Sequence, residues 1–182
     1  LKEMSNANAY RQLATIYLNR RQYSKAASIW KEFLQKWPAD KNAHKQLRQI
    51  LDNWGEFASC EEQPAGTNAV FDFRFRNGEK VNFKAERINQ KTLIRDIKSY
   101  LESNPQQLDW RKINLNNLGW NIINKDDRTY LTGETEKWNL TLSPAKDHFN
   151  RRITVSSPLK KTGAWLITAT MADGNQSHVI LW

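Results

Sequence analysis

The chain has one cysteine, Cys60, which excludes an intrachain disulfide framework and leaves the redox compartment open. Its three histidines, His44, His148 and His178, fall in different predicted elements. None has a Cys, Glu or Asp at metal-ligand or catalytic-triad spacing, so neither a metal nor a cofactor is expected. Asp147-His148 reads as a surface pair in a polar turn. Glycine is sparse, and no phosphate-cradling loop occurs, since Asn77-Gly78 and Asp173-Gly174 read as hairpin turns. No run approaches the roughly 20 apolar residues of a membrane span. The opening LKEMSNAN lacks both the basic and the apolar region of a signal peptide. Acidic residues are in deficit, 19 against 28 Lys+Arg. The basic ones are scattered from Arg11 to Lys161, and the densest cluster, LKKTG, is too short for a polybasic tail. That balance would fit an acidic partner, a nucleic acid or a negatively charged surface; the scatter favours a plain solvated surface, and no nucleic acid is expected as a partner. The paired acids Glu61-Glu62 and Asp126-Asp127 adjoin turn residues and read as solvated. The residues for an enzyme are missing, and none is expected. A start at Leu1 and an end in HVILW read as a piece excised from a longer protein.

Large apolar residues recur at three and four from Tyr10 to Trp37: Tyr10, Leu13 and Tyr17, then Tyr23, Ala27, Trp30, Phe33 and Leu34. This spacing predicts helix, turn, helix, with Ser24 capping the second helix and Pro38 closing it. Small Ala14 and Ala26 fall where two antiparallel helices would approach closely. A third helix, DKNAHKQLRQILDNWG, is predicted from an Asp40 cap to a Gly55 stop, with Leu47, Ile50, Leu51 and Trp54 on one face. The order Tyr10, Leu13, Ala14, Tyr17, Ala26, Trp30, Pro38 resembles a tetratricopeptide repeat, with Phe33 where that family usually has alanine. One repeat cannot bury both its faces. The resemblance therefore implies a scaffold or terminal cap, or a peptide-binding surface on Tyr10, Tyr17, Arg20, Arg21, Lys45 and Arg48.

In AVFDFRFRNGEKVNFKAERI, Phe71, Phe73 and Phe75 alternate with polar residues, and Val81, Phe83 and Ala85 follow Asn77-Gly78. The pattern predicts two antiparallel strands joined by a tight hairpin. Asn89 can cap a helix at about 90–103, ended by Asn104-Pro105. Short strands are predicted around Leu118 to Ile123, Tyr130-Leu131, Trp138 to Leu142 and Arg152 to Val155, with a final hairpin turning at Asp173-Gly174. The fold class is α+β: a three-helix unit over 1–55, a linker over 56–67, and an antiparallel immunoglobulin-like β-sandwich with an inserted helix over 68–182.

The succession FRFRNGEKVNFKAERIN, a helix, WNLTLSP, RRITVSSPL and TGAWLITATMADG is similar to the N-terminal macroglobulin-like domains of bacterial alpha-2-macroglobulins. The carrying residues are Arg76-Asn77, Glu86-Arg87-Ile88 and Gly163-Ala164-Trp165, with Trp165 where the family usually shows tyrosine. The resemblance implies a non-catalytic framework piece of a larger protease inhibitor. Its partners would be other domains of the same chain, a protease or a peptide, and its place periplasmic, envelope-anchored or secreted. The alternative is an adaptor whose repeat binds a peptide and whose sandwich is a spacer or glycan binder. Exposure of Trp110, Trp120 or Trp182 would point to such a surface.

Cys60-Glu61-Glu62-Gln63 invites comparison with the Cys-Gly-Glu-Gln thioester of the same family. A thioester between Cys60 and Gln63 would need a shielding pocket, whereas Pro64-Ala65-Gly66 reads as an exposed linker. Both a reactive bond and a plain linker thiol are open at this level.

Overall fold

The computed structural model describes residues 2–58, 63–64, 66–110, 122 and 128–182. Three helices come first: α1 (Lys2–Asn19), α2 (Tyr23–Lys36) and α3 (Lys41–Leu51). Ala14, Ala26, Ala27, Trp30 and Phe33 are buried between them, as the small-and-large spacing predicts. Leu13 instead stays 38% exposed. Asp40 caps α3 as expected, its carboxylate accepting from the Ala43 amide at 2.8 Å. Ser24 caps nothing. The α2 N-cap is Gln22, and the Ser24 hydroxyl points away to Asp147.

Among the described residues seven strands follow: β1 (Trp54–Phe57), β2 (Val70–Arg76), β3 (Lys80–Ile88), β4 (Leu131–Thr141), β5 (Arg151–Ser156), β6 (Ala164–Met171) and β7 (Gln176–Leu181). They form two antiparallel sheets, ordered β1-β2-β5 and β4-β3-β6-β7. Phe57, Phe71, Phe73, Phe75 and Val155 of the first sheet share one buried cluster with Val81, Phe83, Ile167, Ala169 and Met171 of the second. The sheets therefore face each other as a sandwich. Helix α4 (Gln90–Glu102) begins where predicted, with the Asn89 side chain accepting from the Thr92 amide at 3.1 Å. Its Leu93 joins Ile88, Ala164 and Leu166 in a second cluster on the outer face of the larger sheet, which is why consecutive residues of β6 are buried.

The structure corrects four further expectations. Helix α3 stops at Leu51, because Asp52 turns extended (φ −67°, ψ 148°), and Trp54–Phe57 is a strand rather than helix end and linker. Gly55 is no helix stop. A Cβ there would lie 2.4 Å from Phe73 Cζ, so its bareness admits the core phenyl. Asn77-Gly78 makes no hairpin either, since β2 and β3 pair in opposite sheets and the turn carries the chain between them. Tyr130-Leu131 and Trp138 to Leu142 are not separate strands but the approach and far end of the single strand β4. The hairpin at Asp173-Gly174 forms as predicted between β6 and β7. Of the strand expected at 118–123, only Ile122 is among the described residues, buried and with helical backbone.

Candidate functional site

Chemistry concentrates where the C-terminus of α3 meets the corner between β2 and β3. A helix leaves its last carbonyls without intrahelical partners. Here residues of the corner supply them. Asn77 Nδ2 donates to the carbonyls of Ile50 (2.7 Å) and Asp52 (3.0 Å), and an Arg76 guanidinium nitrogen donates to Gln49. The cation also complements the negative end of the helix dipole. Asn77 adopts φ 62°, a left-handed conformation that asparagine tolerates better than most residues.

The short turn Lys146–His148 completes the junction from the other side. His148 Nδ1 lies 2.8 Å from Asn77 Oδ1. Because the Asn77 amide nitrogen is already donating, its oxygen must accept, and Nδ1 carries the hydrogen. Ser24 donates to Asp147 at 2.9 Å, and Tyr23 packs edge-on to Phe149 with centroids 5.2 Å apart. Asp147 is exposed, as a surface pair in a turn would be, but His148 is half-buried in the junction. Both residues hold left-handed φ angles (56° and 62°) to reach the helices. On the facing strands, the Asn175 side chain accepts from the Gly55 amide (2.7 Å) and donates to its carbonyl (2.9 Å), while Asn53 donates to Ala172 at 2.7 Å. Carboxamides do here what a ladder of strand hydrogen bonds does elsewhere.

Burial, then the nearby Arg76 charge, holds the His148 pKa below its ordinary value, and Asp147 only partly offsets them; burial lowers His178 as well. The unfolded chain therefore binds protons that the folded one refuses. The histidines' share of stability is expected to fall as pH drops through about 6.5 and to level off below their folded pKa values. Urea midpoints between pH 7.5 and 5.5 check this. His148→Gln should flatten part of the slope and leave the share due to His178.

Beside the junction lies an open cleft of about 690 Å³ between α3 and the strand ends. Lys41, His44, Lys45 and Arg48 line it from α3, Trp54 and Arg76 from the sandwich. Arg48 pairs with Asp52 at 2.9 Å. Arg76 is partly buried, which lowers its pKa, and has no carboxylate partner among the described residues; its guanidinium carbon stands 5.7 Å from the Trp54 ring centre. A second depression, of about 700 Å³, lies on the outer face of the larger sheet. Its buried acid, Glu86, is already matched by Lys84 (2.9 Å) and Arg128.

The residues singled out from sequence separate. Lys45 and Arg48 line the cleft. Tyr10 and Tyr17 are partly buried against the helical core, the Tyr10 hydroxyl accepting from Lys36 at 2.8 Å. Arg20 and Arg21 occupy the exposed α1–α2 turn, Arg21 with φ 56°. Trp110 is 68% and Trp182 37% exposed, and Trp120 lies outside the described residues. Among the described residues no cluster of His, Cys, Asp and Glu is placed to hold a metal ion, and no helix is long and apolar enough to cross a membrane. Sequence reasoning missed Arg76 and Lys41. The spacing of Lys41, His44, Lys45 and Arg48 on one helix face was a legible signal for the second, but nothing local signals the first.

Cys60, Glu61 and Glu62 lie outside the described residues. Gln63 engages the start of β2 through its whole carboxamide: its oxygen accepts from the Val70 amide at 2.7 Å and its nitrogen donates to the Val70 carbonyl. A thioester would remove that nitrogen. The expected intact mass is that of the unmodified sequence, with no ammonia-sized deficit and no methylamine uptake at Gln63.

No protein-family model matches the chain, and no curated protein is similar to it at a significant level. Among solved structures, two fragments of native Escherichia coli alpha-2-macroglobulin resemble it distantly. One spans domains MG0-NIE-MG1, with 13% identity and a TM-score of 0.40 over 72% of this chain and 39% of that one. The other spans NIE-MG1, with 16% identity and a TM-score of 0.38 over 72% of this chain and 61% of that one. A CARDB domain from Pyrococcus furiosus, in complex with di-metal ions, scores 0.33 at 11% identity over 72% of this chain and 92% of that one. The chain thus spans less than two thirds of either macroglobulin fragment. All three scores lie below 0.5, a likeness that assigns no function.

Proposed function

We propose that this chain is a non-catalytic framework piece of a larger, bacterial alpha-2-macroglobulin-like protease inhibitor located outside the cytoplasm. The observation that carries the framework role is the junction: Asn77 binds the end of α3 through the carbonyls of Ile50 and of Asp52 just beyond it, and His148 through its own side-chain oxygen, so the helical unit and the sandwich are held as one body. A spacer needs such a fixed joint. The macroglobulin reading itself is supported by Arg76-Asn77, Glu86-Arg87-Ile88 and Gly163-Ala164-Trp165 in the succession of strands described above. In this role the piece sets spacing for other domains of the same longer chain and contacts a protease only within the assembly.

The test is entrapment by the full-length protein. After a protease is added, it should co-elute with the cleaved inhibitor while still hydrolysing a small peptide substrate. A full-length protein that leaves the protease free in solution and uncomplexed overturns the reading.

A further inference from the structure

We propose that the cleft between α3 and the end of β2 binds a short acidic peptide segment. Lys41, Lys45 and Arg48 stand at i, i+4 and i+7 on α3, one helix face, and span about 10 Å along its axis. Arg76 enters the same cleft from the sandwich. Lys41 and Lys45 make no ion pair among the described residues. The Arg48–Asp52 pair is exposed, 76% and 45% at the two side chains, and exchanges readily with another carboxylate. Arg76 is the sharper case. It is partly buried, and among the described residues its Nε has no hydrogen-bond partner and no carboxylate pairs with it; the Gln49 carbonyl and the Trp54 ring are the groups that meet its guanidinium. A cation withdrawn from water without a carboxylate is costly, and an incoming one would offset that cost.

The shape of the charge selects the ligand. Carboxylates on one side of an extended peptide recur every 6–7 Å or so, which lets two or three of them meet a row of cations about 10 Å long. A single small anion would meet one or two. Asp52 and Asp173 border the cleft, so the attractive stretch is short, unlike the long basic track that a nucleic-acid backbone needs. One face of Trp54 is already occupied by Arg76 and is not open for a base to stack on.

The test is fluorescence anisotropy of a labelled hexaglutamate peptide with the whole chain at low salt. Arg76→Ala would disturb the junction as well, so Lys41→Glu with Lys45→Glu carries the experiment. That pair should weaken binding by about tenfold or more, whereas Lys91→Glu with Lys98→Glu on α4, the same charge change elsewhere, should leave it as it was. Equal weakening by both pairs overturns the site, as does absence of binding by the unaltered chain. Tighter binding of a single-stranded hexathymidylate, or full competition by inorganic phosphate at the peptide's own concentration, also overturns it. The outcome is independent of protease entrapment, so either proposal can fail without the other.

Discussion

Phe73→Ala is expected to destabilise the chain by about 3–5 kcal/mol, the range for emptying a fully buried aromatic site. Phe73 is 0% exposed and packs edge-on to Phe57 and Phe83 at 5.5 and 5.6 Å, thereby joining both sheets. It also defines what can stand at Gly55. A Cβ on Gly55 would sit 2.4 Å from Phe73 Cζ and 2.7 Å from Met171 Sδ. The thioether can swing aside, but the ring is held by its neighbours. Gly55→Ala should therefore be destabilising alone and much less so in the Phe73→Ala background, a strong coupling between touching residues. Urea unfolding of the four variants of this cycle measures it. A Phe73→Ala cost below about 1 kcal/mol, or additive effects, would show that the ring does not organise this core.

The alternation of Phe71, Phe73 and Phe75, and of Val81, Phe83 and Ala85, made the faces of β2 and β3 legible, because side chains in a strand alternate between two faces. What it could not give was the pairing. A hairpin and a corner between sheets share the same local pattern around Asn-Gly; here the choice goes with the Asn77 side chain, which binds Ile50 from 27 residues away. Trp54 misled for a related reason. It continues the spacing of Leu47, Ile50 and Leu51, yet the pull of β2 on the following residues, with Gly55 opposite Phe75 and Phe57 opposite Phe73, overrides helical periodicity. The cleft was half legible. The stripe on α3 is a local pattern, but Arg76 belongs to a strand distant in sequence and reaches the stripe only because the corner caps the helix.

Asn77→Ala is expected to cost roughly 2–4 kcal/mol and to loosen the helical unit from the sandwich. Three effects add. The carbonyls of Ile50 and Asp52 lose their donor, the His148 Nδ1 hydrogen loses its acceptor, and alanine must hold a φ of 62° that asparagine tolerates better. Asn77→Gly separates the terms, since glycine keeps the backbone unstrained while removing the carboxamide. It should recover about 1 kcal/mol relative to alanine and no more. Asn77→Asp is the third arm. A carboxylate keeps an acceptor for His148 but turns an anion toward carbonyl oxygens, so it should also destabilise, less so at low pH, where the protonated, neutral carboxyl can donate to a carbonyl instead of repelling it. Urea unfolding gives the global cost, and limited proteolysis between α3 and β1 reports the loosening directly. If Asn77→Gly is as stable and as resistant to cleavage as the unaltered chain, the carboxamide does not hold the junction, and the fixed joint on which the framework role rests is lost.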